Sequence, residues 1–265
     1  MIIAPFFYIF SLILLPTNNK NTNVPKVIVQ PTVAPEPPVT KDTKFIYLTF
    51  DDGPLQGTSN CIDICLNQKI QATFFEVGMH QASGPKAKAL YNRILQNPDL
   101  FVITNHSYTH ANGKYKDFYH HPDAAFLDFE KAQHSLNITN NIIRLPGNSA
   151  WNTTVLKKSS GLVKPVVQRL DSAGYNVMGW DVEWGFNKQG KPLESAEKLA
   201  QMIDSTFAHN HTMTKNHLVV LMHDHMFRTS VDSAKLVTMI GLLKKNPNYQ
   251  LRKITQYPSL KNGGR

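Results

Sequence analysis

The chain has 265 residues, 42% hydrophobic and 18% charged, which allows one full-sized domain with its own core and excludes global disorder. Lys and Arg number 28 against 19 Asp and Glu, a formal charge of +9. No basic block gathers that excess, so it reads as a diffusely charged surface and not as a nucleic-acid site.

The one long apolar run, MIIAPFFYIFSLILLP over residues 1–16, carries no charged side chain. Its length suits the apolar core of a secretory signal and falls short of the roughly 20 residues of a membrane span. A basic start and a small-x-small cleavage site are both missing, so the segment is expected to be a signal peptide or an uncleaved N-terminal membrane anchor. Either places the protein outside the cytoplasm: periplasmic, on the cell surface or secreted. Residues 17–43 include PKVIVQPTVAPEPPV, with five prolines and no hydrophobic period, an extended and semi-rigid spacer. The catalytic domain is expected over residues 44–265.

From Lys44 onward strand-like runs (FIYLTF, ATFFEVG, LFVIT, NIIRL, NVMGW, HLVVLMH) alternate with predicted helices over 60–68, 86–96, 124–135, 164–173, 195–208 and 233–245. This alternation predicts an α/β fold whose parallel sheet is covered on both faces, open or closed into a barrel. Cys61 and Cys65, the only cysteines, lie four apart on the first helix. A strained disulfide and two free thiols both remain open there.

Ligands of such folds collect at the carboxyl ends of the strands. Asp51 and Asp52 end the first strand. Asn105 and His106 follow the third, with His110 four residues on. Arg144 ends the fourth, Asp181, Glu183 and Trp184 follow the fifth, and His223, Asp224 and His225 end the sixth. Together they describe a metal hydrolase site. The i, i+4 spacing of His106 and His110 predicts two imidazoles on one face of a helical turn. With one carboxylate they make a set for Zn²⁺ or another divalent ion that leaves room for water. The side chains of Asp51 and Asp52 diverge, so one can bind metal while the other acts as a base.

TFDDGP, HSYTH, RLPG, WDVEW and LMH, in that order, resemble the five motifs of the NodB-type polysaccharide deacetylases, carbohydrate esterase family 4. The resemblance runs from Phe45 to the C-terminus. It implies a distorted (β/α) barrel and hydrolysis of N-acetyl groups on a β-linked amino sugar polymer. The implied cofactor is a divalent metal, zinc first, with Co²⁺, Ni²⁺ or Mn²⁺ as alternatives. By position it implies Asp51 as general base, Asp52, His106 and His110 as metal ligands, and Arg144 orienting the base. His223 would be the general acid, protonated beside a carboxylate, and Leu221 would line the pocket for the acetyl methyl group.

Two motifs depart from the family. Asp181-Val182-Glu183-Trp184 is one residue short, which leaves Asp181 or Glu183 to pair with Arg144 or tune His223, with Asp181 favoured. Gly147 stands where the family commonly has Tyr. Its N–H can still donate to the oxyanion, while the pocket wall changes. Trp184, like Trp151, is a candidate for the sugar cleft whose commoner role is core packing. The remaining histidines are read as surface residues, His225 being the one closest to the site. Peptidoglycan is the first expected substrate, ahead of chitin oligomers and poly-N-acetylglucosamine. The rival readings are hydrolysis of another amide on the same fold, and a glycan-binding module that has lost catalysis.

Overall fold

The chain's structure, a computed structural model, describes residues 38–262. The expected signal and most of the spacer therefore lie outside the described residues. Strand β1 (Lys44–Gly53) is buried along almost its whole length, the pattern of a central strand covered on both faces. The others are β2 (Ala72–Glu76), β3 (Phe101–Asn105), β4 (Ile142–Ile143), β5 (Trp151–Asn152), β6 (Lys157–Lys158), β7 (Asn176–Val177), β8 (Val182–Glu183), β9 (His217–His223) and β10 (Tyr249–Leu251). They form one sheet in the order β6-β5-β7-β4-β3-β2-β1-β9-β8, with β10 beside the start of β1. The pairings from β7 through β4, β3, β2, β1 and β9 to β8 are all parallel. The ends β6 and β8 do not pair, so the curled sheet is an incompletely closed barrel.

The helices are α1 (Thr58–Gln68), α2 (Gly78–Gln81), α3 (Pro85–Leu95), α4 (Tyr115–His120), α5 (Pro122–Ser135), α6 (Lys164–Ser172), α7 (Ala196–Ala208) and α8 (Ser230–Lys244). All six predicted helices form. The starts of α1, α5 and α8 move by two or three residues, the last two for local reasons: Pro122 opens α5 at its first turn, and Thr229 caps α8 by accepting from Asp232 N–H. The short elements α2, α4, β5, β6, β8 and β10 are too brief to carry a hydrophobic period. None of the described helices is long and apolar enough to cross a membrane.

Period-two alternation sorts the strand residues into two layers. Ile46, Leu48, Phe50 and Phe74 face out and join side chains of α1, α3, α7 and α8 in the larger core. Tyr47, Phe75 and Val219 face in and pack with Ile142, Trp151 and Met178. Register then aligns the strand ends: Asp51 lies opposite His223, Glu76 opposite Asn105, and Asn105 opposite Ile143. Four strands thus deliver their polar ends to one rim.

Cys61 and Cys65 are free, fully buried thiols within α1. Burial pushes both well above the ordinary thiol range. Neither thiol is expected to react with an aromatic disulfide reagent until the protein unfolds. Labelling of either in the native state would contradict this burial.

Candidate active site

The site begins with a slip in a strand. Pairing of β1 with β2 shifts between Asp51 and Gly53, and Asp52 takes φ 74°, a bulge that re-aims one side chain. Asp51 keeps to the inner face, where its Oδ1 accepts from Arg144 Nη1 at 2.8 Å. Asp52 turns along the rim, its Oδ1 3.3 Å from His106 Nε2 and 3.0 Å from His110 Nε2. Among the described residues Asp52, His106 and His110 form a candidate metal group, with ligand atoms all within 4.8 Å of one another.

The helical turn expected between the two histidines is absent. His106 follows the end of β3, and Ser107 and His110 both have positive φ, 69° and 51°. Side chains hold this loop in place of helical hydrogen bonds. Asn105 Oδ1 accepts from Ser107 N–H at 2.8 Å, Ser107 Oγ from His110 N–H at 3.0 Å, and Asp128 Oδ2 from Tyr108 and Thr109 N–H. The imidazoles therefore converge because a polar network folds the loop.

The residues fit a divalent cation. His106 Nδ1 lies 3.0 Å from the Arg144 carbonyl oxygen, which can only accept, so the ring proton belongs on Nδ1. Nε2 then presents a lone pair towards Asp52 Oδ1, a buried atom without a hydrogen-bond partner among the described residues. Two acceptors face each other, and a cation between them resolves the repulsion. Burial would raise the Asp52 carboxyl, yet the imidazoles beside it hold it well below the carboxylate range. Burial likewise draws His106 down, and the charges of Asp51 and Asp52 outweigh it, so its pKa is raised. The site demands positive charge.

Arg144 is 0% exposed. Besides Asp51, its guanidinium donates to Thr49 Oγ1 at 2.6 Å and to the carbonyls of Met178 and Gly179, and its plane stacks 4.1 Å from the Phe75 ring. It bridges the inside of the curl and holds Asp51. His223 ends β9 on the same inner face as Leu221, which is buried beneath it. Gly147 is exposed with φ 63°.

Three expectations need correction. Among the described residues Asp181 makes no ion pair or hydrogen bond with Arg144 or His223. Its two oxygens accept backbone N–H bonds from Met213 (2.7 Å) and Val219 (2.8 Å), where burial pushes the carboxyl up to about 6. Among the described residues no carboxylate holds His223 either. Its Nδ1 is buried without a partner, and its ring meets Phe186 and His225. Trp184 is fully buried: it donates Nε1–H to the Glu194 carbonyl and packs edge-on to Phe227. The shortened motif spends its Trp on the core, and Phe186, 39% exposed, stands beside His223 instead.

Sequence reasoning missed several residues. His80, read as a surface residue, donates from Nδ1 to the Asp52 carbonyl at 2.6 Å. Glu76 and Asp224 form a fully buried acidic pair on the outer side of the rim. A Cβ on Gly53 would lie 2.5 Å from Glu76 Oε1 and 2.8 Å from Asp224 Oδ2, so only glycine fits between them. Thr58 donates to Asp224, while both Glu76 oxygens lack partners among the described residues. Burial pushes Glu76 well above its usual range and Asp224 up to about 7. Folded-state acids raised above their unfolded values near 4 lose stability as pH climbs from there through the folded pKa. Glu76→Gln is therefore expected to unfold at a higher temperature than wild type at pH 8, with the gap closing towards pH 4. Parallel pH–Tm curves for the two proteins would refute the assignment.

A candidate two-histidine, one-carboxylate metal group, an arginine-held aspartate and a histidine on the strand beside it share one rim of a parallel α/β sheet. The chain belongs to the polysaccharide deacetylase family, whose model matches residues 39–177. It is 29% identical to a chitooligosaccharide deacetylase of Rhizobium leguminosarum bv. trifolii, over 53% of this chain and 63% of that protein. It is 28% identical to a peptidoglycan-N-acetylglucosamine deacetylase of Bacillus cereus, over 69% of this chain and 61% of that protein. The chain thus spans about three fifths of the length of these curated relatives. Its fold matches the catalytic domain of a peptidoglycan N-acetylglucosamine deacetylase from Eubacterium rectale with a TM-score of 0.60 at 28% identity, covering 86% and 96% of the two chains. A CE4 esterase of Streptococcus mutans shares the fold at TM-score 0.59 and 22% identity, covering 80% and 87%.

Proposed function

We propose that this chain is a metal-dependent hydrolase that removes N-acetyl groups from a β-linked amino sugar polymer, peptidoglycan ahead of chitin oligomers and poly-N-acetylglucosamine. The convergence of Asp52, His106 and His110 beside the Asp51–Arg144 pair carries this reading. A divalent cation held there, zinc first, supplies polarisation of the acetyl carbonyl and acidification of a water. Asp51, oriented by Arg144, takes the proton from the attacking water. The Gly147 N–H donates to the carbonyl oxygen as negative charge develops. His223, beside Asp51 on the neighbouring strand, delivers a proton to the departing amine. Acetate and a free amino sugar remain.

Peptidoglycan is favoured because a net charge of +9 suits an anionic wall polymer, and because the N-terminal run reads as an export signal. Mass spectrometry of acetyl loss from peptidoglycan fragments and N-acetylglucosamine oligomers tests the proposal, with Asp51→Asn and a chelator as controls. Loss from the peptidoglycan fragments first, stopped by both controls, is expected. A metal-loaded protein that releases no acetate from either would turn the reading to another C–N bond. Tight glycan binding that survives chelation without acetate release would mark a binding module.

A further inference from the structure

We infer that Tyr115 is a substrate-contacting residue, its ring forming a wall of the site over Gly147 and its phenol donating a hydrogen bond to the acetamido group. The inference rests on the deacetylase reading above. Tyr115 opens α4, outside every motif that carries the family resemblance. Its ring lies flat on Gly147: a Cβ there would sit 3.1 Å from each of three ring atoms. The ring thus occupies the space that a side chain at position 147 would fill. It also stands edge-on to the metal-ligand candidate His110, centroids 5.6 Å apart at 89°.

The backbone is bent to bring it there. His110, Ala111, Asn112 and Gly113 have consecutive φ values of 51°, 54°, 49° and 70°. Left-handed backbone is unfavourable for an L-residue, and such runs persist where the surroundings impose them, often at functional sites. This run carries the chain from His110 back to Tyr115 within five residues, so both side chains face one opening.

The phenol is free to serve. Tyr47, Tyr91, Tyr119, Tyr175, Tyr249 and Tyr257 all engage their hydroxyls with protein groups. Tyr115, half-buried, makes no hydrogen bond among the described residues.

Tyr115→Phe and Tyr115→Ala separate hydroxyl from ring. Three quantities are measured on the full chain: bound zinc per chain, kcat and KM on an N-acetylglucosamine oligomer, and affinity for acetate, which shares the acyl group. Tyr115→Phe is expected to keep its zinc, to lose roughly 5- to 30-fold in kcat/KM, the worth of one hydrogen bond, and to bind acetate more weakly. Tyr115→Ala should lose more. A Phe variant equal to wild type in kcat/KM and acetate affinity would overturn the inference. If only the Ala variant failed, and by losing zinc, Tyr115 would be packing for His110. Should wild type deacetylate nothing, the deacetylase reading falls while acetate affinity still decides the role of Tyr115.

Discussion

Asp52→Asn is expected to abolish acetate release, by at least about 10³-fold, because it removes the one carboxylate that turns two imidazoles into a metal site. Asparagine is the informative substitution. It tolerates the positive φ of Asp52 (74°) with far less strain than alanine, so loss of function cannot be blamed on the bulge. The second readout is stability. Zinc at about 1,000 times its dissociation constant should stabilise wild type by about 4 kcal/mol, since the ligand atoms come together only in the fold. The variant should gain almost nothing. If it bound one zinc per chain with wild-type affinity, the ion would have to sit elsewhere.

The second large effect is read in stability. Arg144→Met leaves Asp51, 2% exposed, without its guanidinium and takes a donor from the carbonyls of Met178 and Gly179. Breaking a buried pair from one side costs about 3–5 kcal/mol. For a domain of this size that is about 6–20 °C in Tm. Adding Asp51→Asn to Arg144→Met should recover part of the loss by removing the unpaired charge, a coupling that a double-mutant cycle measures. A single Arg144→Met variant within about 1 kcal/mol of wild type would show that Asp51 does not depend on Arg144.

The six longer helices and the main strands were legible in the chain because their hydrophobic periods persist over many residues. The metal group was legible for a different reason: in a parallel sheet strand-end residues share a rim, which gathered Asp51, Asp52, His106 and His110, and the family resemblance then implied Asp52 as the carboxylate ligand. Their geometry was not. The divergence of Asp51 and Asp52 is a property of an unbroken strand, and the bulge at Asp52 changes it. The helical turn between His106 and His110 gave way to a loop folded by Asn105, Ser107 and Asp128, contacts that reach up to 20 residues along the chain.

What the chain determined by itself is which polar residues gather and the edge of the sheet on which they sit, since both follow from residue type and strand order. What only the tertiary structure decided is which neighbours complete the site. Asp181 is claimed by the N–H groups of Met213 and Val219, Trp184 by the core, and Glu76 by a buried pair with Asp224. Tyr115 reaches Gly147 from 32 positions earlier. The physical reason is the same in each case. A side chain's direction is set by backbone conformation and by competition for buried partners, and both are settled between elements that are remote in sequence.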